Sequence, residues 1–173
     1  MLAIIVCLLL IFVWLWWSND AYQPTIEEAL NAHLETEIAP PRVKENICTF
    51  EYGNSAYMLY LSEENSLCSV DFEYDAQREK WKVSASGDLG YIPELETRWR
   101  EIYGENDCPN EMVGETVLVG VRFHDGKIPF VNGQQTTVYT YEVICEDKVY
   151  SLDYWELKGF DGNLFNQKQL SFE

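Results

Sequence analysis

Four stretches in the first half of the chain alternate apolar and polar residues with a period of two, and this pattern restricts the fold more than any other feature. Such a period places successive side chains on opposite faces of a β-strand. Cys48, Phe50 and Tyr52 form the first stretch and Tyr57, Leu59 and Leu61 the second. Cys68, Val70, Phe72 and Tyr74 form the third, and Trp81, Val83 and Ala85 the fourth. Gly53-Asn54 fits a two-residue hairpin turn, with glycine supplying the positive φ of a type II′ turn. The pattern predicts a four-stranded antiparallel meander. Pairing Tyr52 with Ser55 sets Cys48 opposite Leu59 and Phe50 opposite Tyr57. Pairing Leu61 with Cys68 then sets Leu59 opposite Val70, and Phe72 opposite Trp81 sets Val70 opposite Val83. All apolar positions then share one face.

A helix precedes the meander. Thr25-Ile-Glu-Glu28 reads as a capping box. Ile26, Leu30, Leu34 and Ile38 recur every fourth residue, and Pro40-Pro41 end the stripe. One helix laid across such a sheet is an α+β layer of the cystatin or NTF2 kind. The opposite face of the sheet carries Thr49, Glu51, Ser69, Asp71, Glu73, Lys80 and Lys82. Asp71 and Glu73 admit a paired-carboxylate reading, but Lys80 and Lys82 on the neighbouring strand make cross-strand partners the favoured one. His33 lies beside the helical stripe with no second ligand one turn away, which favours a boundary histidine over a metal ligand.

Pro93 to Tyr103 reads as a second helix with Gly104 at its C-terminal cap and Leu95, Trp99 and Ile102 as its apolar stripe. The polar stretch Glu105 to Glu111 offers oxygen ligands but lacks the spacing and the glycine of a calcium loop. Val117, Val119, Val121 and Phe123 then alternate up to Asp125-Gly126, a hairpin signal that returns Ile128 to Val131 as an edge strand containing Pro129. Asn132-Gly133 marks another turn. Tyr139, Tyr141, Val143 and Cys145 face Tyr150, Leu152 and Tyr154 across a turn at Asp147-Lys148. After a turn at Gly159 to Asn163, Leu164, Leu170 and Phe172 complete a last strand. The expectation is a C-terminal antiparallel sheet or small sandwich. The chain thus divides into a segment 1–18, a helix and meander over 19–91, a connector over 92–112 and a β subdomain over 113–173.

The segment Met1 to Trp17 has no charged side chain, and seventeen helical residues would rise roughly 26 Å, near the thickness of a hydrocarbon core. Trp14, Trp16 and Trp17 close it as candidate membrane-interface anchors. A cleavable signal wants a basic start and small residues at the cut, and neither is present, so a retained transmembrane anchor is expected. Cys7 reads as a small apolar residue of that helix. Asp20, Glu27 and Glu28 follow the run, which places the domain on the outer face. The formal net charge of -17 lies wholly beyond this segment and opposes binding to nucleic-acid phosphates or anionic headgroups.

Cys48, Cys68, Cys108 and Cys145 are an even set in an oxidising location. In the expected register Cys48 and Cys68 stand roughly 11 Å apart, beyond the reach of a disulfide. Cys108–Cys145 is then the candidate bridge, with four buried thiols as the alternative.

The short apolar start, the capped helix from Thr25, the strand ending Lys80-Trp81-Lys82, Val119-Gly120-Val121 and Gly159-Phe-Asp-Gly-Asn163 together resemble small membrane-anchored extracytoplasmic proteins of Gram-positive, spore-forming bacteria. The resemblance implies location and a binding role, and brings no activity with it. The four cysteines and the absence of a basic start depart from that group.

The residues themselves carry no nucleophile-and-base motif, metal cluster, phosphate loop or cofactor fingerprint, and His124 stands at a turn with no sequence companion. The expected function is a non-enzymatic binding module tethered to the membrane, taking an envelope protein or a basic partner, with Tyr139, Tyr141, Tyr150 and Tyr154 either contact area or core. The alternatives are an inhibitor or immunity-type protein that neutralises a basic toxin or enzyme, and a hydrolase built from scattered carboxylates.

Overall fold

A computed structural model describes residues 22–36, 41–105 and 107–173. Segment 1–18, with Cys7, Trp14, Trp16 and Trp17, lies outside the described residues. Among the described residues no helix is long and apolar enough to cross a membrane.

The helix α1 (Ile26–Thr36) starts where Thr25 Oγ1 accepts from the Glu28 backbone N–H at 3.2 Å. It buries Ile26, Ala29 and Leu30. The expected stripe position Ile38 lies outside the described residues.

The meander follows as β1 (Val43–Tyr52), β2 (Ser55–Ser62), β3 (Ser66–Asp75) and β4 (Lys80–Tyr91), in that spatial order. Gly53 adopts φ 67° in the first turn, and Tyr52 pairs with Ser55, Phe50 with Tyr57 and Cys48 with Leu59, as the alternation predicts.

The next two registers differ from expectation. Tyr60, not Leu61, pairs with Cys68, so Leu59 stands opposite Ser69 and Met58 opposite Val70. On the far side Tyr74 pairs with Trp81 and Phe72 with Val83, while Val70 meets Ser86 beyond a bulge. The cause is β2, which is apolar at every position from Ala56 to Leu61 and buried on both faces. Its odd-numbered residues Tyr57, Leu59 and Leu61 join Cys48 and Phe50 on one side. Its even-numbered residues Ala56, Met58 and Tyr60 join Cys68, Val70 and Phe72 under α1. The sheet therefore has two apolar faces instead of one.

The second face is covered by another sheet. Helix α2 (Ile92–Tyr103) leads into it, ending at Gly104 with φ 72° and its N–H bonded to Arg100 O at 3.0 Å. Ile92, Leu95 and Trp99 are buried, but Ile102 is 60% exposed and lies off the stripe assigned to it. Strands β5 (Asn110–Val113), β6 (Val117–Phe123), β9 (Thr137–Cys145) and β10 (Lys148–Lys158) form the sheet in the order β5-β6-β10-β9. Val117, Val119, Val121, Val143, Leu152 and Tyr154 pack against the meander in one core. Aromatic stacking tightens it: the Phe50 and Tyr154 ring centroids lie 4.6 Å apart at 11°. The two halves thus make one sandwich with a common core.

A third, small sheet, β11-β7-β8, covers the outer face of the second. It consists of β7 (Pro129–Val131), β8 (Gln134–Gln135) and β11 (Leu170–Phe172). Strand β7 pairs with β11 and β8 and not with β6, so Asp125-Gly126 leads out of one sheet into another where a hairpin return was expected. Asn132 and Gly133, at φ 51° and 77°, make the real hairpin turn there. Leu164 belongs to a 3₁₀-helix (Gly162–Gln167) and is exposed. Leu118, Val131, Trp155 and Phe160 fill the layer beneath.

Candidate functional site

Sequence position gave the polar residues little company, but the sandwich collects three groups of them. The first surrounds His124, just past the end of β6. Its backbone N–H donates to Ser151 O at 2.9 Å, which seats the residue beside β10. Its Nδ1 lies 2.9 Å from both carboxylate oxygens of Asp153, and Thr140 Oγ1 donates to Asp153 Oδ1 at 2.6 Å. Asp153 is only 1% exposed, so a nearly sealed carboxylate fixes the imidazole in place. His124 therefore has a companion, and the expectation that it stands alone at its turn is corrected. With Nδ1 engaged, Nε2 is the ring nitrogen left for an incoming group.

His124 lines a cleft of about 300 Å³ together with Trp99, Phe123 and Phe172. Two pairs of charged side chains on its walls are committed to each other. Arg100 pairs with Glu96 at 3.3 Å. Arg122, whose side chain is 12% exposed, pairs with Asp125 and lies 4.3 Å from the centre of the Phe172 ring. Arg122 and the Lys127 N–H hold the Asp125 carboxyl below its usual range. Cys108 also lines the cleft, but it is 4% exposed and burial pushes its thiol up to about 12. A thiol in that state is no nucleophile.

The second group joins the two sheets at the β3–β5 side. Asp71 and Glu111 meet there, with Tyr57 donating to Glu111. They line a cavity of about 290 Å³. Burial and the neighbouring Glu111 raise the Asp71 carboxyl to about 7, and burial raises Glu111 as well. Asp71 was expected on a polar outer face beside Glu73 and the lysines. Both do lie on the face opposite α1, but the second sheet covers Asp71, while Glu73 stays exposed and pairs with Lys82 at 3.0 Å.

The third group lies near the β1 edge. Glu156 is 3% exposed and accepts hydrogen bonds from Tyr52 and from Tyr139 at 3.4 Å, while Lys158 reaches it at 3.1 Å. Tyr154 and Tyr52 share a 2.7 Å hydrogen bond, and burial drives both phenols upward. Tyr150 and Tyr154 are buried and Tyr139 and Tyr141 half-buried against the same core, so the tyrosines of the second half serve packing.

Cys108 belongs to the outermost apolar layer and Cys145 to the core between the two large sheets, on opposite faces of the second sheet. Both are free thiols, as are Cys48 and Cys68, so the Cys108–Cys145 bridge is not formed. His33 Nε2 lies 3.1 Å from Ser86 Oγ. In the Glu105–Glu111 stretch, Asp107 Oδ1 accepts from the Cys108 N–H at 2.8 Å and from Asn110 at 3.2 Å, which turns that carboxylate inward on its own loop.

No family model, curated protein or solved structure matches the chain.

Proposed function

We propose that the chain is a non-catalytic binding module, held on the outer face of a membrane by its N-terminal segment, that receives a segment of a basic envelope protein in the cleft beside His124. The observation that carries this reading is the His124–Asp153–Thr140 arrangement, a fixed hydrogen-bonding ring on the wall of a concave, aromatic-lined cleft. Pockets of this form, with a few convergent polar groups among aromatic side chains, are the usual sites of recognition. The charge balance favours a basic partner. The pairs Arg100–Glu96 and Arg122–Asp125 neutralise each other locally, so the field of a chain of net charge -17 dominates the approach. Cys108, the thiol on the cleft wall, is kept protonated by burial and supplies no nucleophile there.

The test is in-cell crosslinking of the tagged full-length chain with mass spectrometry of what it captures, compared with His124→Ala. One dominant basic surface protein that is lost in the variant is the expected result. Equal capture by both chains would remove the cleft from recognition, and a captured toxin or secreted enzyme would turn the reading to an inhibitor. Turnover of a generic hydrolase substrate that disappears with His124→Ala would replace binding by catalysis.

A further inference from the structure

Asp71 and Glu111 come from facing sheets, one on β3 and the other on β5. Oδ1 of Asp71 is sealed from solvent and meets no donor group. Every other polar side chain in the 290 Å³ cavity is neutral: Tyr57 from β2, Ser69 from β3, Ser86 from β4, Tyr103 from α2 and Asn110 from β5. No lysine, arginine or histidine lines it among the described residues, so no cation is at hand to offset a second negative charge. Two carboxylates this close cannot both ionise without strong repulsion, whereas one shared proton turns the repulsion into a hydrogen bond. Strand β5 is four residues long and lies at the edge of its sheet, paired only with β6. Short edge elements open at low free-energy cost.

We propose that the proton shared by Asp71 and Glu111 is a latch between the two sheets: with it the β5 edge stays closed on the meander, and without it β5 swings away. The outer face of a membrane meets changing pH, and the latch converts that into opening of one edge of the sandwich. It does not depend on what the His124 cleft binds. Burial and the facing Glu111 hold Asp71 protonated up to about 7, which sets the range in which the latch works.

Hydrogen–deuterium exchange of the full 173-residue chain in detergent micelles tests the latch, with rates corrected for the intrinsic pH dependence of exchange. Between pH 5 and pH 8 the protection of the β5 amides falls about tenfold or more, while that of β9 and β10 holds. Asp71→Asn, whose amide donates to Glu111 at every pH, keeps β5 protected throughout. Glu111→Gln, which removes the same titration, does likewise and serves if the first variant folds poorly by circular dichroism. Unchanged β5 protection in the wild type, or the same loss in both variants, overturns the proposal.

Discussion

Cys48, Cys68, Cys108 and Cys145 are all buried, and burial pushes the first three up to about 12, 11 and 12. Such thiols are small hydrophobes with little thiolate to react. Iodoacetamide at neutral pH is therefore expected to leave these four unmodified in the folded chain and to label them in denaturant without prior reduction. Mass spectrometry that found any of them joined before reduction would contradict this. Gly120 is the second sensitive residue. A Cβ there would stand 2.3 Å from Trp155 Cζ2, because the indole lies across the strand on its cross-strand neighbour. Gly120→Ala should cost about 1–3 kcal/mol in denaturant unfolding as the buried indole is displaced. Asp153→Ala strands His124 and Thr140 and should cost about 1–3 kcal/mol as well, through lost hydrogen bonds at a buried site. None of these partnerships is readable from sequence. Asp153 is 29 positions from His124, and Asp71 is brought to Glu111 only by one sheet packing on another.

Among the elements, local signals were legible where one interaction decides the outcome. The Thr25 cap, the turn at Gly53 and the C-terminal cap at Gly104 appear where the residues predict, since each depends on a hydrogen bond or a positive φ within a few positions. The register of β2 against β3 was not legible. A six-residue apolar run fits either register unless the layer behind it is known, and two layers lie behind β2. The same ignorance of layers turned Asp125-Gly126 into a hairpin and gave Ile102 a buried role. The consequence can be measured. Leu59→Ala should cost about 2–5 kcal/mol, because it empties the core shared by both sheets. Ile102→Ala, at an exposed helix position, should stay within about 0.5 kcal/mol.

At the scale of the molecule, α1, the meander, the second sheet and the small third sheet stack as four layers, and the second half contributes to the core of the first. Antiparallel β architecture with few helices was legible, but the division at 91 and 113 was not, because separate periodicities do not reveal that two sheets share a face. The charged groups give this stack a pH dependence with two arms. Asp75 and Asp125 are held low by Arg78 and Arg122 and by backbone N–H groups, so their contribution is present above the ordinary carboxylate range and is lost on acidification. Asp71 is raised, so the folded chain holds a proton that the unfolded chain releases. Stability from that group is therefore present below about 4 and declines as pH rises toward about 7. Thermal unfolding of the wild type should thus show a falling midpoint from pH 5 to pH 7, and Asp71→Asn should flatten that fall.

Photo-crosslinking from single positions tests recognition at the His124 cleft most directly. A photo-reactive amino acid is placed at Lys127, on the wall of the His124 cleft, or at Glu35, exposed on α1 at the opposite side of the stack. In living cells the account predicts one basic envelope protein attached through position 127, none through position 35, and loss of the first when Asp153→Asn is added. Attachment of the same protein through position 35 alone would contradict it and move recognition to the helical face.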